Sequence, residues 1–211
     1  MAITLATLAD AIARANAAMS SLTDVLNAAD AKLGDGDTGT MLARLIGTFA
    51  AVDVRNAENL GAGFMALAKA GAASTGSSLG TLIITAMMTA GKATTGKTEL
   101  AWLDLSSLLA AIRDAAMARG KAELGAKTII DGLDALATSL EGKTDAASAA
   151  IAAEQAMDAV LAEFRNRPSA MGRARMFAEK SVGLDDPGML ALAEIVRSLV
   201  KTSQHGATPV A

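Results

Sequence analysis

The sequence predicts an all-α domain, a bundle or closed barrel of antiparallel helices, and four observations carry that expectation. Apolar residues make up 52% of the 211 residues and are supplied largely by Ala, Leu and Met, which enter helices at little entropic cost. They recur at three- and four-residue spacing in segments of about 12 to 20 residues, the pattern of amphipathic helices. The β-branched runs, 82–85 and 128–130, are too few to build a sheet. Aromatic residues are only 2% of the chain, which favours closely packed helices.

Taken in order, helices are expected at 5–19, 22–31, 40–52, 60–72, 78–91, 105–119, 128–141, 146–165 and 188–201. The first reads as a helix and not a leader, because no basic segment precedes it and Asp10 and Arg14 interrupt its apolar run. The second stops before Gly34-Asp35-Gly36-Asp37, and the third starts after it. Between the fourth and fifth lies the small-residue stretch Ser74-Thr75-Gly76-Ser77-Ser78. No charge occurs from Ala70 to Gly91, but that polar stretch would break a membrane span, so a buried helix is expected after it. Later helices are separated by Gly91 to Gly96, Gly120 to Gly125, Glu141-Gly142-Lys143, Asn166-Arg167-Pro168 and Gly183 to Pro187. The short connections make successive helices antiparallel neighbours. A single domain is expected over 1–203, with a disordered tail at 204–211 that contains the sole histidine, His205.

The formal net charge is −3 with no block of Lys or Arg, so the chain lacks the electrostatic footprint of a nucleic-acid or anionic-membrane binder. A phosphate ligand would need cations to approach it. The absence of Cys excludes disulfides, thiolate metal sites and cysteine nucleophiles, and fits a reducing, cytoplasmic setting.

Four segments could carry chemistry. In the acidic loop, Asp30 stands one turn before Gly34-Asp35-Gly36-Asp37-Thr38-Gly39, and the glycines let three carboxylates converge on hard Mg²⁺. The same loop can equally be a turn that caps the helix near Thr40. Gly91-Lys92-Ala93-Thr94-Thr95-Gly96-Lys97-Thr98 fits the P-loop pattern, with Lys97 in the phosphate-reaching position. A P-loop follows a strand, however, and 81–90 reads as a helix, so this match is taken as an inter-helix loop. Gly71 to Gly80 offers small residues and hydroxyls before a helix N-terminus, which suits an anion and also a tight turn. Gly172-Arg173, followed by Asp185-Asp186-Pro187-Gly188, joins a phosphate-pairing arginine to a rigid turn, and otherwise reads as helix punctuation.

Together these segments resemble, in order and across most of the chain, the L subunit (nucleotide-binding domain) of dihydroxyacetone kinases. Ala29-Asp30-Ala31-Lys32-Leu33-Gly34-Asp35-Gly36-Asp37-Thr38-Gly39 is similar to the family's L-D-x-x-x-G-D-x-D-x-G loop. Ser74 to Thr81 is similar to its small-residue segment, Arg119-Gly120-Lys121-Ala122 to Thr128 to its R-G-K-A-x-x-G-x-K-T segment, and Gly172-Arg173-Ala174 to Gly188 to its G-R-A…D-P-G end. The variant Asp35 to Thr40 also resembles the N-terminal domain of bacterial fatty-acid kinases.

The resemblance implies an eight-helix antiparallel closed barrel with two Mg²⁺ and ADP or ATP at one end. It implies metal ligation by Asp30, Asp35 and Asp37, and nucleotide contacts from Thr38, Gly39, Thr40, Met41, Ser74, Thr75, Gly120, Ile129, Arg173, Asp186, Pro187 and Gly188. It further implies a separate sugar-binding K subunit, which holds a triose or tetrose through a histidine, as partner. The donor is either exchanged ATP or a phosphohistidine-carrying phosphotransferase subunit that recharges bound ADP. Departures from the pattern are Thr38 for His, Thr40-Met41 where Asn is expected nearby, Ala126 for Asp, and Lys180 and Leu184 for Arg and His. The function expected is phosphoryl transfer to a ketose hydroxyl. The alternatives are a P-loop ATPase at 91–98 and a non-catalytic regulatory paralogue of the same fold.

Overall fold

A computed structural model describes residues 2–200. The end of the last expected helix, the 1–203 boundary and the 204–211 tail with His205 therefore lie partly or wholly outside the described residues. Eight α-helices make up the described chain: α1 Leu5–Asp30, α2 Thr38–Ala50, α3 Leu60–Ala72, α4 Ser78–Ala93, α5 Leu105–Gly120, α6 Ile129–Ser139, α7 Ala146–Arg165 and α8 Pro187–Val200. Each packs on its successor, and α8 returns to α1, so the ring closes. The all-α barrel is as expected.

Two local expectations are corrected. The segments 5–19 and 22–31 form one helix, because the Ser20 and Ser21 hydroxyls turn back onto the carbonyls of Ala17 and Ala18 and leave the backbone ladder intact. A small sheet also exists: β1 Ile3–Thr4 pairs antiparallel with β2 Glu99–Leu100, too short to register in a periodicity.

Side-chain caps fix where several helices begin. Thr4, Asn59, Ser77, Thr128 and Asp145 each accept a backbone N–H from the first turn of their helix. Inward faces bury Leu26, Leu42, Leu45, Leu67, Ile130, Met157 and Met189. The barrel axis keeps an apolar cavity of about 320 Å³, lined by side chains such as Ile46, Ile83, Ile112 and Leu192. No helix among the described residues is long and apolar enough to cross a membrane.

Up-and-down winding sorts the connections into two rims. Those leading from an odd helix to an even one lie at one rim, and those from an even helix to an odd one lie at the other. The P-loop lookalike belongs to the second group. Gly91 is in α4, the buried Thr94 hydroxyl donates to the Ala90 carbonyl, and the Lys97 backbone is engaged on both sides, its carbonyl accepting Leu60 N and its N–H donating to the Thr94 carbonyl. A Cβ on Gly61 would come within 2.9 Å of the Gly91 carbonyl oxygen and 2.7 Å of Thr95 Cα. The glycines serve the close approach of α3 and α4, and a helix stands where a P-loop needs a strand.

Candidate functional site

At the first rim a cleft of about 210 Å³ opens among the N-terminal ends of four helices. Thr38 and Met41 of α2, Ser78 of α4 with its cap Ser77, Ile129 of α6 with its cap Thr128, and Pro187 and Gly188 of α8 all line it. Each such end carries the positive end of a helix dipole, so the convergence of four favours an anion despite the chain's net negative charge.

The acidic loop forms one wall. Asp30, the last residue of α1, is 8% exposed, and its Oδ2 accepts the backbone N–H of Asp37 at 3.0 Å and of Thr38 at 3.2 Å. Those bonds curl the loop so that one carboxylate oxygen from each of Asp30, Asp35 and Asp37 lies within 4.8 Å of the others. A Cβ on Gly34 would overlap Asp30 Oδ1 and push that carboxylate out of the loop. Asp37 is the N-cap residue of α2 yet makes no side-chain capping bond, so its carboxylate is not spent on the cap. Capping support comes instead from α1: Asn27 Oδ1 accepts Thr40 N at 3.1 Å, and its amide donates to Thr40 Oγ1 at 2.9 Å. Three hard oxygen donors, the first of them at the C-terminal end of α1, fit Mg²⁺.

The opposite wall is the 171–188 segment. Met171, Gly172 and Ala174 line the cleft, as does Asp186, whose Oδ1 caps α8 by accepting Met189 N at 2.8 Å. Burial pushes the Asp186 carboxyl up to about 6, against the lowering effect of the Met189 and Gly188 N–H groups and of Lys127. The folded protein thus keeps this proton to about pH 6, whereas an unfolded chain releases it near 3.8. The group's stabilising contribution is fully present below 3.8 and is lost as pH rises through 6. Asp186→Asn, which can still cap α8, is expected to flatten this part of the dependence. Thermal midpoints in EDTA between about pH 4 and 7 check it, and a wild-type slope retained in the variant contradicts the assignment.

The cleft unites Asp30, Asp35, Asp37, Thr38, Met41, Ile129, Asp186, Pro187 and Gly188 of the expected site residues. Gly120 lines an adjoining cleft that shares Ser78, Thr128, Met171 and Gly172 with the first. Arg173 starts the 3-10 turn Arg173–Phe177, directly after Gly172. Gly39 and Thr40 lie behind the wall against α1. Ser74 and Thr75 stand just outside: the Ser74 hydroxyl donates to the Gly71 carbonyl, and Thr75 Oγ1 accepts Ser77 N. Ser77 and Ser78 take the lining position instead, three or four residues further on, where α4 begins. The hydroxyl-rich stretch signalled this region, but only the cap identifies which hydroxyls face the cleft.

The family model described as the DAK2 domain matches residues 32–201. The chain belongs to the DAK2 domain family. This DAK2 domain is 30% identical over 177 residues to the ADP-binding subunit DhaL of the PTS-dependent dihydroxyacetone kinase of Lactococcus lactis, covering 83% of this chain and 86% of that one. Among solved structures it is similar to the native dihydroxyacetone kinase of C. freundii, with a TM-score of 0.70 and 26% identity over 93% of this chain. The same kinase in complex with AMP-PNP and Mg²⁺ matches with a TM-score of 0.68 and 25% identity. In both cases the DAK2 domain spans 34% of the C. freundii chain.

Proposed function

We propose that this chain is the nucleotide-binding subunit of a dihydroxyacetone-type kinase. It holds ADP or ATP with Mg²⁺ at the four-helix rim while a separate K subunit presents the acceptor hydroxyl of a triose or tetrose. The observation that carries this reading is the meeting of three carboxylates with four helix N-termini in one cleft. The DhaL relative, described as an ADP-binding subunit, and the C. freundii kinase bound to AMP-PNP and Mg²⁺ support it.

On this reading Asp30, Asp35 and Asp37 hold the divalent cations, two by family resemblance. Bound there, Mg²⁺ would neutralise phosphate charge and align the terminal phosphoryl group. The starts of α4 and α6, with the Ser77 and Ser78 hydroxyls beside them, receive phosphate oxygens, while α2 and α8 add the positive ends of their dipoles. The apolar floor of Leu79, Leu82 and Ile129 excludes water beneath the phosphates, and the Asp186-Pro187-Gly188 turn borders the nucleoside. Catalysis is then positioning and charge stabilisation, with the acceptor and any phosphohistidine-carrying donor supplied by partner chains. No residue of the cleft resembles a histidine sugar ligand.

Calorimetry with MgADP and MgATP tests the reading. The wild type is expected to bind at least one of them, and the double variant Asp35→Ala, Asp37→Ala to show no measurable heat. Binding unaffected by the double substitution would remove the proposal. Absence of binding by the wild type would favour a regulatory paralogue.

A further inference from the structure

Lys127 belongs to none of the groups assigned above, yet it is the largest fully buried side chain among the described residues, at 1% exposure. Its backbone is left-handed, φ 61°, a conformation that a non-glycine residue holds only when the surroundings demand it. The demand comes from both directions. Thr128, the next residue, caps α6, while the Asp131 carboxylate turns back to accept Thr128 N at 2.8 Å and Gly125 N at 2.6 Å. With the loop so pinned, the left-handed turn sends the Lys127 side chain out of α6 and under the opposite wall of the cleft.

There the amine donates to three backbone carbonyls: Ser181 at 2.7 Å, Arg167 at 2.8 Å and Arg165 at 3.1 Å. An ammonium group has three N–H donors, and all three are used. The carbonyls belong to the end of α7, the turn after it and the second 3-10 turn of the wall, Glu179–Ser181. The same region is tied by Ser181 Oγ, which accepts Ser169 N at 2.7 Å, by Ala170 N donating to the Ala126 carbonyl at 3.1 Å, and by Gly183 N donating to the Arg165 carbonyl at 2.8 Å. Arg165 in turn grips Asp185 in a bidentate pair at 2.8 and 2.9 Å. The wall that carries Met171, Gly172 and Asp186 has no regular helix of its own between α7 and α8, and its anchor is this set of bonds.

We propose that Lys127 is a positioning residue for the nucleotide site: its ammonium clamps the 165–181 segment to the start of α6, so that Ile129 and Met171–Gly172 face each other across the cleft. The assignment rests on the nucleotide-binding reading above. It separates two tasks within one site, since Lys127 governs the nucleotide wall and the aspartate loop on α1 and α2 governs the metal. Desolvation lowers the Lys127 pKa, while the charges of Asp186 and Asp185 oppose that shift.

The test is Lys127→Met, which keeps the length of the side chain and removes all three donors. Three quantities are read: MgADP affinity by calorimetry, binding of Mn²⁺ alone by electron paramagnetic resonance, and amide hydrogen exchange over residues 165–183. Leaving buried carbonyls unpartnered is expected to weaken MgADP binding by about 10- to 100-fold and to speed exchange in that segment about tenfold or more. Mn²⁺ affinity is expected to stay within about twofold, because its ligands do not touch the clamp. MgADP affinity within twofold of wild type overturns the proposal, and so does a parallel loss of Mn²⁺ binding, which would make Lys127 a residue of the fold as a whole. If Lys127→Met does not fold, Ser181→Ala loosens the same segment from its other side, with an expected loss of about 3- to 10-fold in MgADP affinity. Unchanged affinity in that variant also overturns the proposal. A wild type that binds no MgADP removes the nucleotide reading itself, and the exchange comparison then still decides whether Lys127 clamps the wall.

Discussion

Asparagine in place of Asp30 is expected to lower MgADP affinity by about 100-fold or more, a larger effect than loss of either exposed aspartate alone. The carboxylate works on both sides. Its Oδ2 receives two backbone N–H groups, from Asp37 and Thr38, and thereby shapes the loop. On the proposed reading it also contributes a ligand oxygen beside those of Asp35 and Asp37. An asparagine has one acceptor oxygen for these two duties. If that oxygen keeps the N–H pair, the amide nitrogen faces the cation; if it faces the cation, the nitrogen confronts two donors. Burial makes either misfit expensive, since water cannot step in. Calorimetry with MgADP checks the expectation, with Mn²⁺ binding as the metal-only comparison. An affinity within about threefold of wild type would mean that Asp30 shapes the loop without serving as a ligand.

Alanine at Gly39 is expected to be the most destabilising single methyl addition along α2. A Cβ there would lie 2.8 Å from the Thr23 carbonyl carbon and 2.9 Å from Asn27 Oδ1, and closer still to the Thr23 oxygen. Two of those three atoms are backbone in the middle of α1 and cannot swing aside. The helices must separate, breaking the Asn27–Thr40 bonds and displacing the aspartate loop that they flank. Overpacking of this kind costs about 3 kcal/mol. For a chain of this length that lowers the thermal midpoint by about 6–12 °C. Gly76→Ala is the control, because nothing lies within 4 Å of a Cβ there. It is expected to be neutral or to stabilise by up to about 1 kcal/mol through the unfolded state. Equal midpoints for the two variants would contradict the close approach of α1 and α2.

The helices were legible because each buries one face, and burial of a face writes a three- and four-residue rhythm into the chain. The acidic loop was legible for a similar reason: its three carboxylates fall within eight residues, so local spacing already brings them together. What escaped the sequence is whatever depends on distant partners. Lys127 reaches carbonyls 38, 40 and 54 residues away, and no local pattern announces them. Asn27 reads as one more polar residue on α1 until Thr40 is folded against it, 13 residues on. Ser20 and Ser21 misled in the opposite sense. Consecutive serines compete with the backbone and suggest a break, but here their hydroxyls spend that capacity inside the helix. The segment 91–98 shows the converse limit, a motif complete in letters whose neighbouring element is a helix.

The up-and-down winding also divides the labour of the chain by rim. Every connection from an odd helix to an even one (31–37, 73–77, 121–128 and 166–186) supplies residues to the clefts or braces those that do. Those from an even helix to an odd one (51–59, 94–104 and 140–145) contribute nothing to them. Lengthening such a loop costs only about 0.6 kcal/mol per doubling. The barrel therefore has one rim that carries the chemistry and another whose bonds, such as Leu60 N to the Lys97 carbonyl and the β1–β2 pair, serve the fold alone. A tag or insertion placed in 51–59 or 140–145 therefore meets the fold without touching the nucleotide end.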